Sequence, residues 1–352
     1  MKTDYIIIGQ GLCGTLLSYE LLKRGKSVVV VDDGNPSGSS RVAAGFINPV
    51  TGKRHVTSWR FDTFIHTALE VYEALEKETG LEIIRKISLI QFHTGREERE
   101  VFTNRMKGNP WLSDIDADVW DVFFNFHFGA GSAAPCYIIH PHFLNVWRNK
   151  LSFSGMLREQ QFNWDECEIN SDGVHWNDIQ ANAVICCDGS ASFRNPYFQH
   201  LPFSLNKGQV LHVRIPGLPN DCAYHHRYKL IPLQNELFWV GASFEWNYPD
   251  LNIISEFRLG VETYLRDFLK LPSETIAHIA GERPSSIDYR PFVGRHPNVA
   301  QVAILNGMGT KGYLQAPFFA IQLAEYLCEG STLSPEVDIQ RFARLLTKFG
   351  NP

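Results

Sequence analysis

Residues 5–32 read Tyr5-Ile6-Ile7-Ile8, then Gly9-Gln10-Gly11-Leu12-Cys13-Gly14, and run on to Val28-Val29-Val30-Val31-Asp32. A short apolar run, a glycine turn, a helical period, a run of valines and a terminal acid make a strand–turn–helix–strand unit. Gly9 permits the tight turn, Gly11 carries no side chain to obstruct a pyrophosphate, and Gly14 lets the helix pack close to the sheet. The helix N-terminus offers free N–H groups and partial positive charge to phosphates. Asp32 stands 23 residues after Gly9, placed to accept hydrogen bonds from ribose hydroxyls, and Asp33 is positioned to share that task. An acid here, rather than a small or basic residue, favours a free 2′-hydroxyl, and therefore FAD or NAD over NADP.

Working outward, the chain has 352 residues, room for two domains. Its 44% hydrophobic and 20% charged residues suit a globular enzyme with a large core. The net charge of −5 gives no general attraction to nucleic acid or to an anionic membrane, so a small molecule is the expected partner. The apolar run ends at Gly9, far short of the ~20 residues of a membrane span. Asp4 in front of it is foreign to a signal peptide, and a cytoplasmic location is expected. Cys13, Cys136, Cys167, Cys186, Cys187, Cys222 and Cys328 are odd in number and lack CxxC spacing. That argues for reduced thiols and against a disulfide framework or a metal site. Cys186-Cys187 ends an apolar strand and reads as core.

Beyond Asp32 comes a small-residue loop, Gly34 to Ser40, leading into Ala43-Ala44-Gly45. Trp59 to Thr79 has helical spacing and Gly80 marks its end. Residues 81–134 carry strand-like pieces such as 83–92 among turn signals. The helical period returns after His140-Pro141-His142. Residues 168–176 form a hairpin about Ser171-Asp172-Gly173, and the strand 183–187 delivers Asp188-Gly189-Ser190 to the ligand edge. Strand signals fill 209–215, 229–232 and 237–244, followed by a helix near 253–269. Val302–Leu305 then turns through Gly307-Met308-Gly309-Thr310-Lys311-Gly312 into a last apolar helix.

These landmarks, with Lys207-Gly208-Gln209 and Gly281-Glu282-Arg283-Pro284 before Asp288, Pro291 and Gly294-Arg295-His296-Pro297, occur in a fixed order. In that order the chain resembles the FAD-dependent amine and amino-acid oxidoreductases of the D-amino-acid oxidase and glycine oxidase superfamily. The resemblance implies an α/β fold: a discontinuous Rossmann-like FAD-binding domain (1–80, 135–206 and 281–352) with an inserted antiparallel or mixed β-sheet substrate domain (81–134 and 207–280). It implies non-covalent FAD, since the 307–312 turn has no cysteine. Gly9, Gly11 and Gly14 would hold the pyrophosphate and Asp32 the ribose. Ser39, Ser40 and Gly45 would line the way to the flavin ring, with Gly189 near the ADP or ribityl portion. Gly307, Met308, Gly309, Thr310 and Gly312 would face the pyrimidine edge, where N–H groups and Lys311 stabilise charge on reduction. Arg283 would pair the substrate carboxylate, its alternative being a structural ion pair with Asp288.

The implied reaction is oxidation of a C–N bond, a hydride passing from the substrate carbon to flavin N5 and the imine then hydrolysing. The sequence also departs from the family. The His and Arg of its usual last turn are missing, and Lys229 stands where a substrate-contacting tyrosine falls. Tyr224, His225, His226 and Tyr228 are the nearby candidates to replace it. Lys53-Arg54-His55 makes the loop after Gly45 basic, which suggests a substrate with a second acidic group or a bulky anionic one. A tRNA-modification oxidase similar to the flavin domain that removes carboxymethyl from modified uridine is the rival enzyme. A non-catalytic flavin sensor is the rival of another class, and an NAD dehydrogenase would be colourless.

Overall fold

The computed structural model describes residues 1–348. Its first sheet is built on Lys2–Ile8, with Val28–Val31 and Ile179–Cys186 parallel on either side. Val302–Asn306 extends it beyond Ile179–Cys186, and Leu157–Arg158 closes the other edge. Ile6, Ile7, Val29, Val30, Val184 and Ile185 are wholly buried. That is why these strands are unbroken apolar runs: a parallel sheet is covered on both faces. The helices Leu12–Lys23, Phe61–Thr79, Phe143–Phe153 and Gly312–Glu329 supply one cover. The hairpin Cys167–Asn170 and Gly173–Trp176 forms the antiparallel fringe. The parallel strands end together at Gly9, Asp32, Cys187 and Gly307, the edge at which α/β sheets bind ligands.

The second sheet runs in the order Glu274–Ser286, Phe203–Arg214, Leu237–Gly241, Lys229–Pro232, Cys222–His225, Ile84–Phe92, Ala130–Ile139, Phe46–Ile47. It is antiparallel except where Cys222–His225 lies parallel to Ile84–Phe92. It draws strands from outside 81–134 and 207–280, reaching Phe203, Ser286, Ile139 and Phe46. One face packs Tyr224, Leu230, Phe238 and Val240 against Val261, Leu265 and Phe268 of the helix Ser255–Phe268. The other face looks across a cleft at the first sheet.

The helix Arg96–Met106 has no counterpart in the reading of 81–134 as strands and turns. Only Phe102 of it is buried, so it lacks the apolar stripe by which a helix announces itself. The strand expected over 237–244 stops at Gly241, and residues 242–254 run irregularly along the cleft.

Candidate active site

The cleft is a cavity of about 1390 Å³ lined from both sheets, larger than the ~300–1,000 Å³ of an ordinary small-molecule site. Its nucleotide end is set by glycines under compulsion. Gly9 has φ +93°, and a Cβ there would stand 2.6 Å from the carbonyl oxygen of Cys187. A Cβ on Gly14 would lie 1.8 Å from the Gly9 oxygen. Gly14 therefore acts through helix–strand packing and does not line the cavity, whereas Gly9 and Gly11 do. Ser40 Oγ accepts the Leu12 N–H at 3.0 Å and helps to seat the helix start. Ser39, Ser40 and Gly45 line the cavity. The need for glycine at 45 is local, because a Cβ would sit 1.8 Å from the Ile139 oxygen.

The Asp32 carboxylate accepts from the N–H groups of Gln10 (2.7 Å) and Gly34 (2.9 Å) and pairs with Arg148. These use three of its about four acceptor sites and leave room for one more donor. Asp32 and Asp33 both reach the cavity wall. Gly189, at φ +60°, also lines it, and its carbonyl accepts from Asn306 Nδ2 at 2.7 Å. Burial pushes the neighbouring Asp188 carboxyl up to about 6. In the last turn, Met308, Gly309, Thr310 and Gly312 line the cavity. Gly307 does not; it faces Phe292, where a Cβ would meet the ring at 2.9 Å.

Arg283, on the strand Glu274–Ser286, also lines the cleft. Its Nη1 donates to Asn206 Oδ1 at 2.5 Å and to the Ser243 carbonyl at 3.3 Å. The guanidinium lies over Gly208, where a Cβ would fall 2.0 Å from Nη2, and 4.7 Å from the centre of the Phe244 ring. Asp288 is paired instead with Arg341, at 3.2 Å. Among the described residues no carboxylate lies within 4.0 Å of Arg283. Burial brings its guanidinium down to about 10.

Lys229 and Lys311 share the cleft. Lys311 donates to Asn48 Oδ1 at 3.2 Å. Burial, and then the charge of Lys229, bring Lys311 down to about 8. Lys229 is lowered by burial and by Arg283. Tyr224 is a correction. It is wholly buried among Phe124, Trp120 and the helix-side core, and its hydroxyl donates to the Pro219 carbonyl at 2.8 Å. Successive strand residues point to opposite faces, so His225 meets the cleft and Tyr224 does not. Tyr228 and His226 likewise pack at Tyr264.

The Nδ1 of His225 is 2.8 Å from Gln91 Oε1. An amide oxygen only accepts, so Nδ1 carries the hydrogen and Nε2 is left an acceptor. Burial and Lys229 hold this ring well below the usual histidine range, hence neutral. Lys53 and Arg54 depart from expectation. They sit exposed at the tip of the hairpin Val50–Thr51 and Val56–Thr57 and do not line the cavity, while His55 turns inward onto Phe102. Asn48, Gln91, Trp239 and Phe244 are cleft residues that sequence reading missed. Alternation along Ile84–Phe92 and Leu237–Gly241 carries the signal for Gln91 and Trp239, once pairing shows which face is inward; Asn48 and Phe244 lie outside the strands.

A long cleft lined both by a glycine turn at a helix start and by a guanidinium with no carboxylate within 4.0 Å among the described residues is the plan of a nucleotide-dependent redox enzyme. The chain matches the FAD dependent oxidoreductase family, DAO, over residues 4–326, and it belongs to that family. It is 24% identical over 352 residues to the glycine oxidase of Bacillus subtilis (strain 168), covering 90% of this chain and 91% of that one. It is 24% identical over 324 residues to the tRNA 5-methylaminomethyl-2-thiouridine biosynthesis bifunctional protein MnmC of Legionella pneumophila (strain Corby). That match covers 84% of this chain but 46% of the longer relative. Among solved structures, the glycine oxidase of Geobacillus kaustophilus shares the fold with a TM-score of 0.78 at 19% identity, covering 100% of this chain and 98% of that one.

The residues present fit FAD. A helix N-terminus opens on the cleft at Gly11, Asp32 keeps one acceptor site, and a second helix start at Gly312 borders the same cavity. Among the described residues no helix is long and apolar enough to cross a membrane, and no cluster of metal-ligating side chains occurs.

Proposed function

We propose that this enzyme oxidises the C–N bond of an amine that carries a carboxylate. One observation bears most of the weight: the half-buried Arg283 guanidinium, with no carboxylate within 4.0 Å among the described residues, on the wall of the cleft that the glycine turn also lines. When bound, FAD would supply the acceptor for a hydride from the carbon beside nitrogen. Gly9, Gly11, Ser39 and Ser40 would hold its pyrophosphate, Asp32 with Asp33 its ribose, and Met308 to Gly312 its pyrimidine edge.

Arg283 binds the substrate carboxylate through paired N–H donors, and Asn206 and the Ser243 carbonyl fix the guanidinium plane. Such positioning accounts for much of a rate enhancement. The like charges of Lys229 and Lys311 disfavour an ammonium beside them, so the substrate nitrogen is held as the neutral amine. Neutral His225 offers Nε2 to a departing proton. The imine product is hydrolysed by water. The seven free cysteines support a reducing, cytoplasmic setting.

Anaerobic titration of the yellow protein with glycine, D-amino acids, N-methyl amino acids and proline analogues tests the reaction. Carboxylate-bearing amines should bleach the flavin and their decarboxylated analogues should not. A spectrum unmoved by the whole panel would sink the reading. pH supplies a second check. A bound anion favours the protonated Lys311, so raising the pH through about 8 removes a charge that the anion needs. Carboxylate affinity should then fall by up to about tenfold per pH unit, and Lys311→Met should flatten that limb.

A tRNA substrate is the second reading, favoured by the exposed stacked rings of Phe244 and Trp246 at the cleft, 6.1 Å apart at 26°. Bases stack on such a platform. Salt-sensitive tRNA binding would support it, and its absence at low salt would remove it.

A further inference from the structure

The cleft holds more positive charge than one carboxylate can answer. Arg283, Lys229 and Lys311 all line it. Among the described residues none of the three has a carboxylate within 4.0 Å. The acids that face this end are already engaged. Glu245 is held by Ser243 Oγ at 2.5 Å, by Gln209 Nε2 at 2.8 Å and by the buried Lys207 at 3.9 Å. Glu282 accepts from the Tyr248 hydroxyl, and Asp250 from Asn252 at 2.9 Å and 2.7 Å. His225 is neutral and its Nδ1–H is spent on Gln91.

The sheet is arranged so that this charge faces a ligand. Lys229 pairs with Gly241 and Gly241 with Val210, two residues from the Gly208 on which the Arg283 guanidinium rests. Glycines at 208 and 241 keep that inward face low between the two cations. The charge of Arg283 acts on Lys229, and that of Lys229 on Lys311. Charge drawn partly out of water is costly unless it is paired. A substrate with one carboxylate answers Arg283 and leaves the ammonium groups of Lys229 and Lys311 without an anion in the same cleft.

We propose that the substrate is an amine bearing two carboxylates, an acidic or N-carboxyalkyl amino acid, whose α-carboxylate rests on Arg283 and whose second acid rests on Lys229. This deepens the reading that the cleft binds a carboxylate-bearing amine, and it depends on that reading for the role of Arg283. It moves the acid-recognising charge from the exposed Lys53 and Arg54 to the floor of the cleft.

The test is ligand binding without turnover. The flavin-loaded enzyme is titrated with succinate and glutarate and, separately, with propionate and butyrate, each followed by the shift of the flavin absorbance. The diacids should bind roughly tenfold tighter or more, the worth of one extra charged hydrogen bond. Lys229→Met should erase the ratio between diacid and monoacid, and Lys229→Arg should retain most of it. If Lys229→Met loads no flavin, Lys229→Gln takes its place. Equal affinity for monoacid and diacid in the wild-type enzyme overturns the proposal, as does a ratio that survives both neutral variants. No amine is oxidised in these titrations. A failed preference therefore rejects the second acid alone, whereas an intact preference beside a flavin that no amine bleaches rejects the oxidase reading.

Discussion

Arg283→Met should lower kcat/KM for the carboxylate-bearing amine by roughly 10²–10³-fold, the size expected when one partner of a buried, hydrogen-bonded charge pair is lost (about 2–5 kcal/mol). The loss should fall on kcat as well as on KM. In the proposed role the guanidinium would orient the reacting carbon as well as anchor the acid, and misplacement by ~1 Å alone costs about 10²-fold. The variant also leaves Asn206 Oδ1 without its donor, so flavin content and Tm must be recorded beside the anaerobic reduction rate. Gly208→Ala is the companion test. Its Cβ would fall 2.0 Å from Nη2, and the end of a flexible side chain moves aside more easily than backbone. A properly folded, yellow enzyme with a guanidinium out of place should result, with kcat/KM down by about tenfold or more. Unchanged kcat/KM in Arg283→Met would mean that the carboxylate is held elsewhere.

Gly14→Ala should abolish FAD binding and lower Tm by several degrees. The added Cβ would stand 1.8 Å from the Gly9 oxygen and 3.0 Å from its carbonyl carbon. Both are backbone atoms of the turn proposed to hold the pyrophosphate, so relief requires moving the turn itself. Overpacking of this kind costs about 1–3 kcal/mol and occasionally more, which corresponds to ~2–4 °C of Tm per kcal/mol in chains of 150–250 residues. The measurement is flavin stoichiometry after reconstitution together with calorimetry of the apoprotein. Gly260→Ala serves as the control. Nothing lies within 4 Å of its Cβ and it sits inside the helix Ser255–Phe268, so it should stabilise by about 0.5–1 kcal/mol. A fully loaded Gly14→Ala enzyme would show that the helix can be displaced without cost to the cradle.

The first sheet was open to reading from the chain because its information is local. Tyr5-Ile6-Ile7-Ile8 and Val28-Val29-Val30-Val31 are covered on both faces, so no question of facing arises. Gly9 and Gly14 between them answer clashes within 5 residues of one another or with the neighbouring strand end at Cys187. Helices with an apolar stripe, such as Phe61–Thr79 with its stop at Gly80, were equally plain. Arg96–Met106, with one buried residue, was not.

The second sheet divides along another line. The residues 222–232 show strand character by themselves, but alternation defines two faces without saying which is inward. Only the pairing with Ile84–Phe92 and Leu237–Gly241 settles that Lys229 and His225 look into the cleft while Tyr224 joins the core. Likewise, the hairpin at 50–57 carries Lys53 and Arg54 away from the cavity that their position in the chain suggested they border. The partner of Asp32 is Arg148, 116 residues further on, and no spacing rule links them. Sequence by itself determined the nucleotide cradle, where backbone shape is decided among near neighbours. Tertiary structure alone decided the charge facing the cleft, because a side chain's direction on a half-buried strand is fixed by residues far away along the chain.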